Sequence, residues 1–410
     1  MTGVTLNIRE LGSQGDGVAE HEGRKLFVPL ALPGETVEAE VNGDRAKLVA
    51  VIVPSASRAA ARCSHFGECG GCALQHMADD AYLEFKRQQV VSALSFQRIQ
   101  AAVDPVVAVP PRSRRRAAFA AHRTPKGLEV GFHERRSHHI ASIRDCAVIT
   151  PGLLDLLPKL ERLAATAAPA KDALTITATE TAGGFDVSLN GVPKGLSGDA
   201  RVKLAQLAGQ LGLARLSING EVAAETAPPV IRAGAAHLIP PPGGFLQACE
   251  PSEAAMVGLV KEAVGDARKV VDLFSGSGTF SLPMASIATV HAVEGDEAAL
   301  AALDQAARKA QGLKPVTTER RDLFRRPLTG DELKRFDAAV IDPPRAGAEA
   351  QSRQLATSGI RRIAMVSCNA GTFARDLRIM LDGGYRVARI TPIDQFLWSP
   401  HIEIVARLER

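Results

Sequence analysis

The sequence lacks any run of about eighteen apolar residues, so hydropathy excludes a membrane-spanning helix. Its first residues lack the basic and apolar regions of a secretory signal, and we therefore expect a cytoplasmic protein without membrane association. A strong net charge is also missing, because 49 Lys and Arg against 45 Asp and Glu leave a formal charge of +4. With 410 residues, of which 46% are hydrophobic and 23% charged, the chain suits two or three globular domains.

Positive charge is nevertheless concentrated between residues 112 and 145, where nine Lys and Arg accompany three acidic residues. The basic side chains of this stretch are Arg112, Arg114, Arg115, Arg116, Arg123, Lys126, Arg135, Arg136 and Arg144. A solvated basic face would explain them. We favour a phosphate-binding surface, because other parts of the sequence also point to nucleic acid.

Short strands separated by glycines are predicted throughout residues 1–56, at 4–9, 24–28, 35–41 and 46–53. Strands of this length and spacing are typical of an OB-type β-barrel, a fold that commonly binds oligonucleotides. A barrel without a nucleic-acid role is the alternative. Residues 57–240 are expected to form a central α+β domain, with helices at 153–167 and 200–211 and strands at 174–178 and 185–189.

Helix and strand patterns alternate through residues 241–410, which predicts a doubly wound, mainly parallel sheet. The string VVDLFSGSGTF at 270–280 places Gly276-x-Gly278 at a strand-to-helix turn, where glycine lets the backbone approach a ligand closely. Glu294 closes the next predicted strand, where a carboxylate can accept hydrogen bonds from both ribose hydroxyls. We therefore predict a nucleotide-type cofactor, although a dinucleotide is disfavoured because the G-x-G-x-x-G pattern is incomplete.

Two further strings also end predicted strands. Cys368 follows the apolar run 363–366, and Asp342 begins an Asp-Pro-Pro-Arg turn. Because the carboxyl ends of parallel strands meet at one edge of a sheet, the thiol, the acid and the glycine loop are expected to share a cleft. Cys368 is then a candidate nucleophile, with a buried, inert thiol as the alternative.

IDPPRAGA at 341–348, SCNAGTFARD at 367–376 and HIEIVA at 401–406 together resemble the RNA uracil-5-methyltransferase family. Residues 11–41 resemble a TRAM domain, an RNA-binding module, and 270–280 with Glu294 resembles the cofactor motifs of class I S-adenosylmethionine methyltransferases. The resemblance implies an OB-type TRAM barrel at 1–56, an α+β domain with a cysteine cluster at 57–240 and a class I Rossmann-like α/β methyltransferase domain at 241–410. It also implies that a helix near 79–100 packs on the catalytic domain.

The resemblance implies roles for individual residues. Cys368 would add to carbon 6 of uracil, which makes carbon 5 nucleophilic towards a methyl sulfonium, and Glu403 would remove the proton from carbon 5. The residues implied to contact S-adenosyl-L-methionine, with the two loop glycines added, are Gln247, Phe274, Gly276, Gly278, Thr279, Glu294, Asp322 and Asp342. The chain departs from the family pattern at Thr279, where asparagine occurs, and at DQFLWSPH (394–401), where D-M-F-P-H-T is common.

Three cysteines follow the pattern C-x5-C-x2-C, at Cys63, Cys69 and Cys72, and Cys146 lies far along the chain. In a reducing compartment such thiols favour a metal site over disulfides, and their spacing leaves zinc and iron–sulfur open. The string CSHFGECGGCALQH (63–76) resembles the family's 4Fe-4S site, which implies a structural 4Fe-4S cluster on these four thiolates. Cys249 is expected only to pack.

The substrate predicted from the resemblance is large-subunit ribosomal RNA, methylated by a monomer. Bacterial enzymes of the tRNA branch typically lack both the TRAM unit and the cysteine cluster. Three alternatives stay open at this point: the same reaction on tRNA, methylation of cytosine carbon 5, and an RNA-binding assembly factor whose methyltransferase fold is inactive.

Overall fold

The computed structural model describes residues 3–125, 127–169 and 171–410, so Lys126 of the basic stretch lies outside the described residues. The strands form successive sheets of six, seven and seven strands along the chain, with a two-stranded sheet before the last. A search of the described helices finds none with the length and apolar character needed to cross a membrane.

The N-terminal sheet has the strand order β1-β5-β6-β4-β3-β2. Its strands are β1 (Gly3–Asn7), β2 (Glu10–Leu11), β3 (Gly17–His21), β4 (Arg24–Val28), β5 (Thr36–Asn42) and β6 (Arg45–Val53). Alternate residues such as Val37 and Ala39 are buried, because successive side chains of a strand point to opposite faces. The four predicted strands correspond to β1, β4, β5 and β6, whereas the short β2 and β3 were not predicted.

A helix and a second sheet follow the cysteine-containing segment. The elements are α1 (Asp79–Phe96), β7 (Arg116–Thr124), β8 (Gly127–His133), β9 (Ile140–Ala141), α2 (Pro151–Ala167), β10 (Leu174–Thr181), β11 (Gly184–Asn190), α3 (Gly198–Gln210), β12 (Leu213–Ile218), β13 (Glu221–Glu225), β14 (Ile231–Ala233) and β15 (Ala236–Leu238). The sheet order is β13-β12-β11-β10-β7-β8-β9. Leu153, Leu156, Leu160 and Leu163 recur at helical spacing in α2 and pack in the core of this sheet.

The C-terminal sheet has the order β18-β17-β16-β19-β20-β22-β21 and is parallel except for β22. Its elements are α4 (Glu250–Val264), β16 (Lys269–Leu273), α5 (Ser281–Met284), β17 (Thr289–Glu294), α6 (Glu297–Lys309), β18 (Val316–Arg320), α7 (Gly330–Leu333), β19 (Ala338–Ile341), α8 (Glu349–Thr357), β20 (Arg362–Ser367), α9 (Ala370–Asp382), β21 (Arg386–Ile393) and β22 (Glu403–Glu409). The doubly wound, mainly parallel sheet predicted from the sequence is therefore confirmed.

Helix α1 packs on this C-terminal sheet although about 150 residues separate the end of α1 from the start of α4. Val90 and Leu94 lie in the same apolar core as Phe373 of α9. Lys86 also forms an ion pair with Asp394, in the loop between β21 and β22, and neither side chain is exposed to solvent.

The ammonium group of Lys86 has further partners in the same loop. It donates hydrogen bonds to the carbonyl oxygens of Phe396 (2.9 Å) and His401 (2.7 Å). The hydroxyl of Tyr82, one turn earlier in α1, donates to Asp394 at 2.8 Å. The loop that leads into β22 is thus fixed by α1 through buried polar contacts.

Replacing Lys86 by methionine is expected to lower the free energy of unfolding by about 3–5 kcal/mol, because Asp394 would remain buried without its cation. Chemical denaturation followed by far-ultraviolet circular dichroism would measure the loss. Lys334→Met is the control, since Lys334 pairs with Asp331 at the exposed surface and its loss should leave the stability nearly unchanged. Equal losses in the two variants would contradict the importance of the buried pair.

Candidate active site

Cys368 lies between the end of β20 and the first turn of α9, at the carboxyl edge of the C-terminal sheet. Its half-buried thiol lines a cleft of about 650 Å³, a size common for ligand sites. Residues 10–14 of the N-terminal sheet and Gln89 and Ser92 of α1 line the same cleft, as does Arg345. The cleft therefore lies between the N-terminal and C-terminal sheets.

The local environment of Cys368 favours the protonated thiol. Asn369 caps α9 by accepting hydrogen bonds from the amides of Gly371 (2.9 Å) and Thr372 (3.1 Å). A helix N-terminus ordinarily lowers the pKa of a nearby thiol. Here burial, followed by the charges of Glu403 and Asp342, raises the pKa of Cys368 to about 11.

The antiparallel pairing of β20 with β22 brings Glu403 next to Cys368. The register pairs Ser367 with Ile404, and its continuation by one residue sets Cys368 opposite Glu403. Glu403 is only 5% exposed, and burial, followed by the charge of Asp342, raises the pKa of its carboxyl to about 8. A carboxyl group with a pKa near neutrality can exchange protons during a reaction.

Asp342 supplies a third acidic group at this edge. It follows β19, and its amide donates a hydrogen bond to the carbonyl oxygen of Leu273 at the end of β16 (3.2 Å). Burial, followed by the charge of Asp272, raises the pKa of Asp342 to about 7. The charge of Asp342 raises the pKa of Cys368, but Asp342 and the glycine loop are not among the residues that line the cleft of about 650 Å³.

A buried amide network connects Glu403 with Gln247. The side-chain nitrogen of Gln395 donates to Glu403 Oε1 (3.1 Å) and to Gln247 Oε1 (2.8 Å). The hydroxyl of Ser252 donates to Gln395 Oε1 at 2.8 Å. Two residues with roles predicted from the sequence are thus linked by a glutamine that was not predicted.

The glycine loop combines tight packing with an open face. Gly278 has φ of 96°, and a Cβ there would lie 2.9 Å from Cγ of Leu303, so only glycine fits. A Cβ on Gly276 would meet nothing within 4 Å, which leaves that side open. The amide of Gly276 donates to Oε2 of Glu294 at 2.9 Å, so the loop and the predicted ribose-binding acid are adjacent.

Polar groups without protein partners lie beneath the loop. Asp272 is fully buried, and one of its carboxylate oxygens accepts a hydrogen bond from the Ser281 hydroxyl at 2.5 Å. Its other oxygen and the buried Ser275 hydroxyl have no hydrogen-bond partner within the described residues. Buried polar groups are normally paired, so these two unpaired atoms mark the loop as a candidate ligand site.

The remaining predicted cofactor residues are more dispersed. Phe274 is half-buried, and its ring centroid lies 5.3 Å from that of the exposed Phe324. This contact brings the turn containing Asp322 beside the glycine loop. Asp322 is exposed, and its carboxylate accepts hydrogen bonds from the amides of Phe324 (3.0 Å) and Arg325 (3.3 Å). Thr279 is half-buried in the loop itself.

The four predicted cysteine ligands line one cavity of about 280 Å³. These ligands are Cys63, Cys69, Cys72 and Cys146. Backbone amides donate to two of the sulfurs, Gly71 N to Cys69 Sγ and Val148 N to Cys146 Sγ, each at 3.4 Å. Among the described residues, however, no group of three or more His, Cys, Asp or Glu side chains meets the geometry needed to hold a metal ion. The thiols are therefore gathered around a shared space without forming a compact ion site.

Comparison with known proteins finds a family match at each end of the chain. Residues 241–410 match the family model of tRNA (uracil-5-)-methyltransferase, and residues 3–48 match the TRAM domain. The whole chain is 46% identical to an uncharacterized RNA methyltransferase of Agrobacterium fabrum, with 100% of both chains covered. It is 32% identical to the 23S rRNA (uracil(1939)-C(5))-methyltransferase RlmD of Shewanella sp., with 99% of this chain and 95% of that one covered.

The chain belongs to the RNA (uracil-5-)-methyltransferase family.

A solved structure supports the fold of this family member. The tRNA (uracil-54, C5)-methyltransferase of Pyrococcus abyssi, in complex with S-adenosyl-L-homocysteine, has a TM-score of 0.76 and 23% identity, with 98% of this chain and 99% of that one covered. The predicted fold class, with a TRAM domain followed by a central region and a methyltransferase domain, is therefore confirmed.

Many of the basic side chains predicted to form a phosphate-binding surface instead make contacts within this family member. Arg115 pairs with Glu253 at 2.8 Å, and Arg123 donates to the carbonyl oxygens of Ala165 and Ala168. Arg135 and Arg136 both donate to Asp16 of the TRAM domain, at 2.5 and 3.1 Å. Many of these basic side chains therefore form contacts between different parts of the chain.

Asp16→Asn is expected to lower the free energy of unfolding by about 2–3 kcal/mol, because an amide cannot offset the arginines around this buried carboxylate. Arg45, Arg135 and Arg136 all reach Asp16, which is 1% exposed. Thermal denaturation and limited proteolysis near residues 10–20 would detect the loosened TRAM domain. Glu20→Gln is the control, because Glu20 pairs with Arg9 at the surface. An Asp16→Asn protein as stable as this control would refute the expectation.

Sequence reasoning missed the residues that support the site. Lys86 and Asp394 lie 308 positions apart, and no sequence motif predicts that they pair. Gln395 gave one signal, since it stands where the family pattern commonly has methionine. A polar residue within an otherwise apolar pattern indicates a buried hydrogen-bond partner.

Proposed function

We propose that this chain transfers a methyl group from S-adenosyl-L-methionine to carbon 5 of a uridine in 23S ribosomal RNA, through a transient bond between Cys368 and carbon 6. One observation carries the proposal. Cys368 directly follows β20 and Glu403 begins β22, the strand that pairs antiparallel with β20, and Cys368 opens onto a cleft that extends to the TRAM domain. RNA bound by that domain would have direct access to the thiol.

The reaction needs a deprotonated thiol in its first step and a deprotonated carboxylate, acting as the base, in a later step. The Cys368 thiol must first lose its proton to water in the open cleft. The thiolate then adds to carbon 6, and the electrons of the carbon 5–carbon 6 π bond form an enolate with a nucleophilic carbon 5. After methylation, Glu403 accepts the proton from carbon 5, and the electron pair of that bond restores the ring double bond as the thiolate leaves. Arg345, also on the cleft, lowers the pKa of Cys368 and so opposes the larger effect of burial.

The residues around the glycine loop fit S-adenosyl-L-methionine, which supplies the methyl group as a sulfonium when bound. The open side of Gly276 admits a ligand close to the backbone, and the carboxylate of Glu294 lies beside it. Asp272 Oδ1 and Ser275 Oγ offer unused hydrogen-bonding capacity in the same loop. We propose Gln247, Phe274, Thr279, Asp322 and Asp342 as further contacts, with Gln247 also joined to the base through Gln395.

We propose ribosomal RNA as the substrate because of the similarity to RlmD. RlmD of Shewanella, whose name gives 23S rRNA as its substrate, matches this chain over nearly its full length at 32% identity. The name of the Pyrococcus abyssi enzyme gives tRNA as its substrate. That enzyme shares 23% identity with this chain, so the similarity supports the fold and does not indicate the substrate. Methylation of tRNA by the same chemistry is the second candidate. A flipped uridine would be required in either RNA, because the reacting carbons are inaccessible in a stacked helix.

Cys368→Ala is expected to abolish methyl transfer, and Glu403→Gln is expected to trap a protein–RNA adduct because carbon 5 keeps its proton. The measurement uses labelled S-adenosyl-L-methionine with unmodified 23S rRNA or tRNA, followed by nucleoside analysis and denaturing gels. Glu409→Gln, at the far end of the same strand as Glu403, is the control and should retain activity.

The predicted product is 5-methyluridine in 23S rRNA. Formation of 5-methylcytidine alone, or full activity in the Cys368→Ala protein, would reject the mechanism. Methylation of tRNA and not of rRNA would keep the chemistry and change the substrate.

We also propose that Cys63, Cys69, Cys72 and Cys146 hold a 4Fe-4S cluster. All four thiols line the same cavity of about 280 Å³, so one group bound there could be held by all four of them. The N–H groups of Gly71 and Val148 directed at two sulfurs are the kind of contact that stabilises cluster thiolates. The cluster's role would be structural, because methyl transfer moves no electrons.

Anaerobically purified protein is expected to contain about four iron and four sulfide ions per chain and to be brown. Cys72→Ala should lower the iron content to a small fraction of this value, because Cys72 supplies one of the four proposed ligands. Cys249→Ala is the matched control, since Cys249 is buried away from this cavity and should leave the iron content unchanged. One zinc ion per chain without iron would contradict the cluster.

A further inference from the structure

The side-chain amide of Gln395 is buried between Glu403, the proposed base, and Gln247, a proposed cofactor contact. Its side chain is 2% exposed, and its partners Gln247 and Ser252 are 3% and 0% exposed. Both N–H donors of the amide are used, one on Gln247 Oε1 and one on Glu403 Oε1, and its oxygen accepts from Ser252. The Ser252 hydroxyl has a single proton and also lies 2.8 Å from the carbonyl oxygen of Cys249, so it is the two acceptors on the nitrogen side that favour this orientation of the amide.

The orientation has a consequence for Glu403. An ionised carboxylate only accepts hydrogen bonds, so the N–H side of Gln395 suits the ionised form and the oxygen side would repel it. Gln395 engages Oε1 of Glu403, and the structure gives Oε2 no hydrogen bond to another described residue. The carboxylate is thereby held with one oxygen occupied and the other available for a proton.

We propose that Gln395 is a positioning residue that favours the ionised form of Glu403 and orients it for removing the proton from carbon 5, and that it couples this base to Gln247. The inference rests on the proposed function, since it assigns a partner to the base of that reaction. It concerns the release of the covalent adduct and leaves the formation of the adduct to Cys368.

Other charges around Glu403 set the direction of the expected effect. Asp342 disfavours its ionised form, Lys86 favours it, and Cys368 follows the strand that pairs with β22. The hydrogen bond from Gln395 lowers the pKa of Glu403 against the larger effect of burial. Without this bond the pKa of Glu403 should rise. Because only the ionised form accepts the proton, adduct release would then require a higher pH.

Gln395→Met tests the inference with a side chain of similar shape that cannot donate a hydrogen bond. In single-turnover reactions with the full-length protein and 23S rRNA, the pH midpoint of adduct release is expected to rise by about one to two units. At neutral pH the adduct, measured on denaturing gels, should persist about tenfold longer or more. The yield of adduct at early times should not fall.

Gln351→Met is the matched control. Gln351 is another fully buried glutamine, and it bridges the amide and carbonyl of Leu328 at 2.9 and 3.1 Å, away from the cleft. Its replacement should lower stability without moving the pH midpoint. If Gln395→Met does not fold, as judged by circular dichroism, Ser252→Ala replaces it, because loss of the hydroxyl frees the Gln395 amide. A smaller rise of the midpoint is then expected.

The outcomes separate this inference from the proposed function. A wild-type protein that forms no 5-methyluridine, or a fully active Cys368→Ala protein, would defeat the proposed function itself. If the wild type reacts through Cys368 but the midpoint and adduct lifetime are unchanged in the folded Gln395 variant, or in its Ser252 replacement, the inference is wrong. A rise shared equally by Gln351→Met would also overturn it, because the effect would then reflect stability alone.

Discussion

The buried ion pair between Lys86 and Asp394 is the contact on which the arrangement of the site depends. Neither side chain reaches solvent, so each charge relies on the other and on hydrogen bonds from protein groups. Lys86 comes from a helix that precedes the catalytic sheet by a whole domain, whereas Asp394 begins the loop that leads to Glu403. The position of the proposed base is therefore determined by a distant part of the chain.

The cysteine-containing segment reaches the same loop. The amides of Ala73 and Leu74, directly after Cys72, donate to the carbonyl oxygen of Trp398 at 2.8 and 3.0 Å. The amide of Trp398 in turn donates to the hydroxyl of Tyr82 at 2.6 Å. Order in the cysteine segment is thus transmitted to the loop through short polar contacts. A structural role for a cluster at these thiols follows naturally, because it would stiffen the segment that supports the loop without taking part in chemistry.

The sequence predicted the catalytic sheet well because buried parallel strands are continuous apolar runs between breakers. The predicted apolar run 363–366 lies within β20, and Glu294 is the last residue of β17, as predicted. Strand β7 was missed because Arg116 and Arg123 interrupt its apolar pattern and suggested an exposed basic stretch. The contacts of Lys86 and Gln395 could not be predicted either, since sequence patterns report local periodicity and these side chains meet partners far along the chain.

The ionisable side chains near Cys368 are buried close together, and this raises their pKa values. Cys368, Glu403 and Asp342 all have raised pKa values, first through burial. The next cause is the charge of a neighbouring carboxylate, which is Glu403 and then Asp342 for Cys368, Asp342 for Glu403 and Asp272 for Asp342, so ionising one group makes the next ionisation harder. A mechanism that requires a thiolate at one stage and a carboxylate at another suits such a site, provided that the two charges are not needed together. Once the thiolate becomes a thioether on the uracil ring, its charge leaves the sulfur. The repulsion on Glu403 then falls, and the carboxylate becomes easier to form at the stage where a base is needed.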